Sequence, residues 1–255
     1  MDIKRNSAGP LKGRVVLLTN VDRGVGPATA RTLARKGAAL ALTVAGATAE
    51  PSFVEELRAA GSTVAMFRSP ARLNCTEATH LLRSVMAEFG QLDIVIANAQ
   101  LRLQWQVDDI AQDEEAIDEQ FYVNVMGTIS LIRATARLIG NGGRIIAIGA
   151  SVADRVGTPG LADFAATQAA IVAYCKGVAH DLGPRGVTVN VVQLGPMEVD
   201  QLAAPDNLVA AERASTVLKR LGRSDEAANA IVFLAGPGAS FITGSVLDVD
   251  GGYNA

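Results

Sequence analysis

Chemistry in this chain must come from a few polar side chains and one glycine-bearing loop. Ser151, Asp154, Asp163, Gln168, Gln193 and Glu198 could bring hydroxyl, carboxyl and amide groups to a cleft, although no two have a spacing that signals a known acid/base pair. The loop reads Thr19-Asn20-Val21-Asp22-Arg23-Gly24-Val25-Gly26. Gly24 and Gly26 permit close strand-to-helix packing and could expose helix N-terminal N–H groups to a pyrophosphate, while Pro27 removes one nearby donor. That these glycines serve packing alone stays open. Asn20 tolerates a left-handed backbone better than most residues, and Arg23 could meet an anion or simply be a solvated surface arginine. Cys75 and Cys175 are the only cysteines. Neither has a Cys or His at metal-ligand spacing, so both read as packing residues and no metal site is expected. His80 and His180 stand alone on helical patterns and read as surface or capping residues.

The elements that must position these groups follow from the hydrophobic pattern. Apolar runs rich in Val, Ile and Leu alternate with longer helical patterns from end to end, as repeated βα units feeding a parallel sheet do. Strands are predicted at Val15–Thr19, Leu40–Val44, Thr63–Arg68, Ile94–Ala97, Arg144–Ile148, Thr188–Val192 and Val246–Val249. Helices are predicted near Val25–Lys36, Ser52–Ala60, Cys75–Phe89, Glu114–Ile139, Asp163–Leu182 and Ser224–Ala235. The expected fold is α/β, a single doubly wound Rossmann-type domain with a seven-stranded parallel sheet over residues 13–255, preceded by a tail at 1–12. Ligands of such a sheet bind beyond the carboxyl ends of its strands, at the topological switch point.

Composition narrows the partners. Of 255 residues, 49% are apolar, enough for one large core. A net charge of -3 and 4% aromatic residues leave neither the basic stripe nor the stacking platform that nucleic-acid binding needs. The longest apolar stretch, Ala38–Ala47, contains Thr43 and Gly46 and is far shorter than the roughly 20 residues of a membrane span. Met1–Pro10 is polar, without an apolar signal-peptide core. A cytoplasmic protein without membrane contact is expected.

Five landmarks then stand in register over nearly the whole chain: the Thr19–Gly26 loop, Ala97-Asn98-Ala99-Gln100, Ser151 with Phe164 13 residues later, Val189-Asn190-Val191-Val192, and the closing Ile242-Thr243-Gly244 with Val249-Asp250-Gly251-Gly252. In this order the chain resembles the short-chain dehydrogenases/reductases. The resemblance implies a nicotinamide dinucleotide over the sheet, a catalytic Tyr, a Lys four residues later that lowers its pKa, a Ser about 13 residues before the Tyr and an Asn on the preceding long helix. Asn124 and Ser151 match the Asn and the Ser. Phe164 stands at the Tyr and Gln168 at the Lys, so neither proton donor nor cation is present.

The cofactor positions depart as well. Asn20 replaces the first Gly of the loop, and its side chain is expected to intrude where bare backbone approaches the cofactor. Ala71 replaces the adenine-contacting Asp, Ala97 and Gln100 alter the stretch after the fourth strand, and Val199 replaces the Thr after the sixth. The second strand ends in Thr43-Val44-Ala45-Gly46 without an acid for a ribose diol. Arg23, Gly24 and Gly26 remain as vestiges of the dinucleotide site. The resemblance therefore implies a catalytically inactive subunit with no cofactor of its own. It would assemble with an active paralogue carrying NAD or NADP, as a heterotetramer, in a hydroxyacyl or alcohol dehydrogenase complex of acyl-CoA or aromatic degradation. Homo-oligomerisation is the other assembly, and non-redox chemistry such as cyclisation or dehydration in the vacated cleft is the alternative function.

Overall fold

The computed structural model describes residues 9–45, 49–201 and 205–255. The first eight residues of the expected tail and Gly46 lie outside them. One sheet holds seven strands, all parallel, in the order β3-β2-β1-β4-β5-β6-β7. The strands are β1 (Val15–Leu18), β2 (Ala39–Ala45), β3 (Val64–Ser69), β4 (Ile94–Ala97), β5 (Arg144–Ala150), β6 (Thr188–Leu194) and β7 (Val246–Val249). The reading of a seven-stranded parallel Rossmann-type sheet therefore holds.

Every residue of β1, β4 and β6 is buried. Continuous apolar runs bury both faces, and a parallel sheet needs helices on both to shield them. Alternate residues divide the work. Val16, Leu18, Ile94 and Ile96 join one cluster with Leu33 of α1 (Gly26–Arg35), Val54 of α2 (Ser52–Ala59) and Ile231 of α8 (Ser224–Ala235). On the other face, Val15, Leu17 and Val95 pack with Leu82 of α3 (Cys75–Phe89) and Leu131 of α5 (Thr128–Leu138), and Ile145 and Val191 with Ile171 and Cys175 of α6 (Ala162–Leu182). Each fully buried Leu or Ile contributes about 1.5–3 kcal/mol. Leu11, just ahead of the expected domain start, is buried in the first cluster.

Two departures from the sequence pattern bear on the site. The single helix expected over Glu114–Ile139 is α4 (Glu114–Phe121), a π-helical turn at Tyr122–Gly127, and then α5. Asn124 lies in that turn, where its Oδ1 accepts from the Leu101 amide at 2.7 Å and its Nδ2 donates to the Leu101 carbonyl at 2.9 Å. Wider helical turns of this kind are frequent at functional sites. The pattern also missed α7 (Asp206–Ser215), which follows Pro205 and covers one side of the cleft.

The chain passes from edge strand β3 back to β4, beside β1, so the switch point lies between β1 and β4. The Thr19–Gly26 loop leaves β1 at that point. Gly26 is obligatory there, because a Cβ would meet the Val21 carbonyl oxygen at 2.5 Å.

Candidate functional site

A cleft of about 480 Å³ opens at the carboxyl ends of the strands around this switch point. Of the residues singled out in the sequence, Arg23, Gly24, Gln100, Ser151 and Phe164 line it. Asn20, Gly26, Ala71, Ala97, Asn124, Gln168 and Val199 do not, although several of them brace its walls.

Asn20 does so by an unexpected route. Its φ of 47° is left-handed, as its residue type allows. The side chain does not intrude on the cleft, however. It turns sideways, and Nδ2 donates to the Asn98 carbonyl at 2.8 Å. Asn98 answers, its Nδ2 donating to the carbonyls of Asn20 at 3.0 Å and Arg23 at 3.2 Å. Its backbone N–H donates to Thr19 Oγ1 at 2.9 Å. The loops after β1 and β4 are stitched together, and the glycine loop keeps its shape without the usual first Gly.

Gln168 is likewise a structural residue. It lies one helical turn after Phe164 on α6, both side chains on the buried face. Its Oε1 accepts from the Ala150 amide at 3.1 Å and its Nε2 donates to Thr167 Oγ1 at 3.1 Å. Thr167 Oγ1 also accepts from Asn124 Nδ2 at 3.0 Å and donates to the Phe164 carbonyl at 2.7 Å. This network runs beneath the cleft from the π-helical turn to the end of β5 and holds the backbone from which Ser151 projects. Phe164, 3% exposed, presents its ring to the cavity and can neither give nor take a proton.

Ser151 is the polar group the fold leaves open. It is 1% exposed, and its Oγ has no hydrogen-bond partner among the described residues. Gln100 Nε2 on the facing wall is also without one. The remaining polar candidates are elsewhere. Asp154 and Gln193 pair behind the cleft, where the Gln193 amide nitrogen donates to Asp154 Oδ2 at 2.8 Å and Asp248 Oδ1 at 2.9 Å. Asp163 borders a separate shallow depression, and Glu198 is exposed outside the cleft. Ala71 is exposed, while its neighbour Arg72 stacks over Tyr122 at 4.1 Å and pairs with Glu119 at 3.4 Å. Val199 packs on the main core. Burial pushes the Cys175 thiol up to about 12, which makes it inert at neutral pH.

Sequence reasoning missed four charged groups on the walls. Arg102 Nη2 reaches Glu212 Oε1 of α7 at 3.2 Å, and Glu212 also accepts from Gln201 Nε2 at 2.5 Å. Asp200 faces the glycine loop, its Oδ1 3.9 Å from the point a Gly24 Cβ would occupy. Loss of water lifts its carboxyl above the usual carboxylate range, opposed by Arg102 and aided by Glu212, although part of the residue still reaches solvent. Arg155 is exposed at the other end, with its guanidinium on the Tyr253 carbonyl and 5.0 Å from the Tyr253 ring centre. No spacing could reveal the last pair, which is 98 residues apart. Pro205 followed by a helix-forming run was the available signal for α7. Among the described residues no cluster could hold a metal ion, and no helix is long and apolar enough to cross a membrane.

Comparison with known proteins places this arrangement. A family profile described as Enoyl-(Acyl carrier protein) reductase matches residues 20–254. The chain is 32% identical over 247 residues to the cyclic-di-GMP-binding biofilm dispersal mediator protein of Escherichia coli K12, covering 97% of this chain and all of that one. It is 33% identical to the 3-oxoacyl-(acyl-carrier-protein) reductase FabG of the same bacterium, covering 94% and 97%. A solved short-chain dehydrogenase from Burkholderia cenocepacia in complex with NADP superposes with a TM-score of 0.89 at 32% identity, covering 97% and 100%. The chain belongs to the short-chain dehydrogenase/reductase family, whose fold binds a nicotinamide cofactor.

These relatives overturn the expectation of a catalytically inactive subunit, and with it the non-redox alternative. Full-length relatives are reductases by name, and a close structural neighbour holds NADP in the same fold. The physical reason the expectation failed is that it equated altered residue types with a lost site. Asn20 and Gln168 are absorbed into the walls, and the cleft itself stays open.

Proposed function

We propose that this chain is a nicotinamide-dinucleotide oxidoreductase of its family, acting on a carbonyl or the corresponding alcohol, with the Ser151 hydroxyl holding the reacting oxygen. The observation that carries this reading is the buried, unpartnered Ser151 Oγ in the cleft wall. A buried hydroxyl without a partner costs about 1–3 kcal/mol, a cost that a ligand oxygen removes. The walls suit the cofactor. Gly24, at a φ of 50° and faced only by Asp200 Oδ1 3.9 Å from the point its Cβ would occupy, and the start of α1 would take the phosphates, Arg23 a 2′-phosphate, and the free amide of Gln100 the nicotinamide half. When bound, the dinucleotide supplies or accepts the hydride.

The chain's own residues then do three things. Phe164 and Leu161 keep water from the reacting carbon, Ser151 donates to the substrate oxygen, and the Gln168–Thr167–Asn124 network holds the Ser151 backbone still. With no phenol at position 164, the proton reaches the oxygen from cleft water through Ser151. A missing general acid costs about 10²- to 10⁴-fold in rate, so turnover is slow. The α4–α5 and α6 surfaces, with Met126 exposed, are read as a pairing face for a second copy of this chain or a related dehydrogenase, and the setting is read as cytoplasmic.

Calorimetric titration with NADPH and NADH, followed by single-turnover reduction of a carbonyl panel, tests the reading. Submillimolar binding that favours NADPH is expected, with turnover lost in Ser151→Ala. Absence of binding by either dinucleotide at millimolar concentration overturns it.

A further inference from the structure

The cleft has a second end, formed by the turn after β5 and the C-terminal tail. Asp154 and Arg155 N–H groups both donate to the Ser151 carbonyl, at 3.2 and 3.3 Å, so Ser151 and Arg155 belong to one tight turn. Tyr253, 6% exposed, locks that turn from the tail, its Oη accepting from the Gly157 amide at 3.0 Å and its carbonyl accepting from Arg155 Nη1. The fit is close, since a Cβ on Gly157 would meet Tyr253 Oη at 2.9 Å. An exposed arginine normally samples many rotamers, and fixing it in place carries an entropic cost. Here the ring and carbonyl of Tyr253 hold the guanidinium at the cavity wall while most of its N–H donors remain free.

Charge points the same way. Three arginines line the cleft, Arg23, Arg102 and Arg155, against two carboxylates, Asp200 and Glu212. Glu212 is committed to Arg102, and Asp200 faces Gly24 of the glycine loop, with Arg102 as the arginine that acts on it. Asp154, the nearest acid in sequence to Arg155, is turned away to Gln193. Arg155 has no carboxylate within 4.0 Å among the described residues. The cleft carries one positive charge in excess. Of its two arginines without a carboxylate partner among the described residues, Arg23 and Arg155, it is Arg155 that lies four residues from the hydroxyl that awaits an oxygen.

We infer that Arg155 selects the substrate: the cleft takes a small oxo acid or hydroxy acid, its carboxylate on the Arg155 guanidinium and its reacting oxygen on Ser151. A guanidinium fork matches a carboxylate in two parallel hydrogen bonds, and a single surplus charge suits a monoanion better than a dianionic phosphate. This rests on the oxidoreductase reading and adds the class of substrate to it.

The test is calorimetric titration of the full chain, in the presence of NADP⁺, with levulinate, methyl levulinate and dihydroxyacetone phosphate. Wild type is expected to bind levulinate at least ten-fold more tightly than its neutral ester. Arg155→Met abolishes that preference and leaves the ester and NADP⁺ unchanged, while Arg155→Lys keeps part of it. Equal affinity of wild type for levulinate and its ester, no detectable levulinate binding, or preference for the phosphate overturns the inference; so does an Arg155→Met loss shared equally by ester and dinucleotide. The wild-type comparison decides even if the variants fail to fold. NADP⁺ titrated alone separates the two failures: no NADP⁺ binding sinks the oxidoreductase reading, whereas NADP⁺ binding without levulinate preference sinks only the role of Arg155.

Discussion

On the amino-terminal wall of the cleft, where the loops after β1 and β4 meet, polar side chains satisfy the protein's own backbone: Asn20 and Asn98 exchange hydrogen bonds with each other's carbonyls. On the carboxy-terminal wall, after β5, the unpartnered hydroxyl of Ser151 and the side chain of Arg155 line the cavity instead. The first wall satisfies its own backbone and leaves the Gln100 Nε2 open, whereas the second leaves open the hydroxyl aimed at the reacting oxygen. An altered residue therefore means different things on the two sides. Asn20 is absorbed into the backbone of its wall, whereas Phe164 puts on the cavity wall a ring that can neither give nor take a proton.

The largest effect should come from restoring that chemistry. Phe164→Tyr together with Gln168→Lys supplies a phenol and its cation, and turnover with NADPH is expected to rise by about 10²-fold or more, with Phe164→Tyr alone giving less. Stopped-flow oxidation of NADPH reads it. No gain from the double variant would mean that the carboxy-terminal wall differs by more than a missing acid.

Stability separates the walls next. Asn98→Ala removes two hydrogen bonds that tie the loops together, although the Asn20 and Arg23 carbonyls keep the Arg23 and Gly26 amides as donors, and is expected to cost about 1–2 kcal/mol in urea unfolding. Ser151→Ala should instead stabilise the ligand-free chain by about 1–3 kcal/mol, because it removes a buried hydroxyl that has no partner. Should Ser151→Ala prove as costly as Asn98→Ala, the hydroxyl is structural and the contrast fails.

The smallest effect is a pH dependence. Asp200 faces the glycine loop, and its carboxyl titrates above the usual carboxylate range. Once ionised it repels an incoming pyrophosphate, so dinucleotide affinity should rise several-fold as pH falls through that elevated value. The sign for folding agrees: an acid with a raised folded-state pKa lowers stability as pH climbs from its unfolded to its folded value. Asp200→Asn should flatten the profile in titrations with NAD⁺, whose phosphate charges stay constant over the range. An unchanged slope would show that Asp200 does not meet the dinucleotide.

Much of this molecule was legible in its residues. Period-two and period-3.6 apolar patterns reflect burial against neighbours that every βα unit has, so all seven strands and five of the six expected helices could be placed to within a few residues. The positions of Ser151, Asn124, Gly24 and Phe164 followed from motifs kept in chain order. The helix missed at Asp206–Ser215 is short and half-polar, because it packs over a cleft and not on the core. Residue types at 20 and 168 were also visible, but their roles were not, since a side chain's use depends on which backbone groups come within about 3 Å of it. Hydrogen-bond partners 78 residues apart, as for Asn20 and Asn98, or 98 apart, as for Arg155 and Tyr253, leave no local pattern. The sequence by itself determined the sheet, the cleft's location and the absence of the phenol and its cation. Only the tertiary structure decided that the cleft stays open and which of its donors still wait for a ligand.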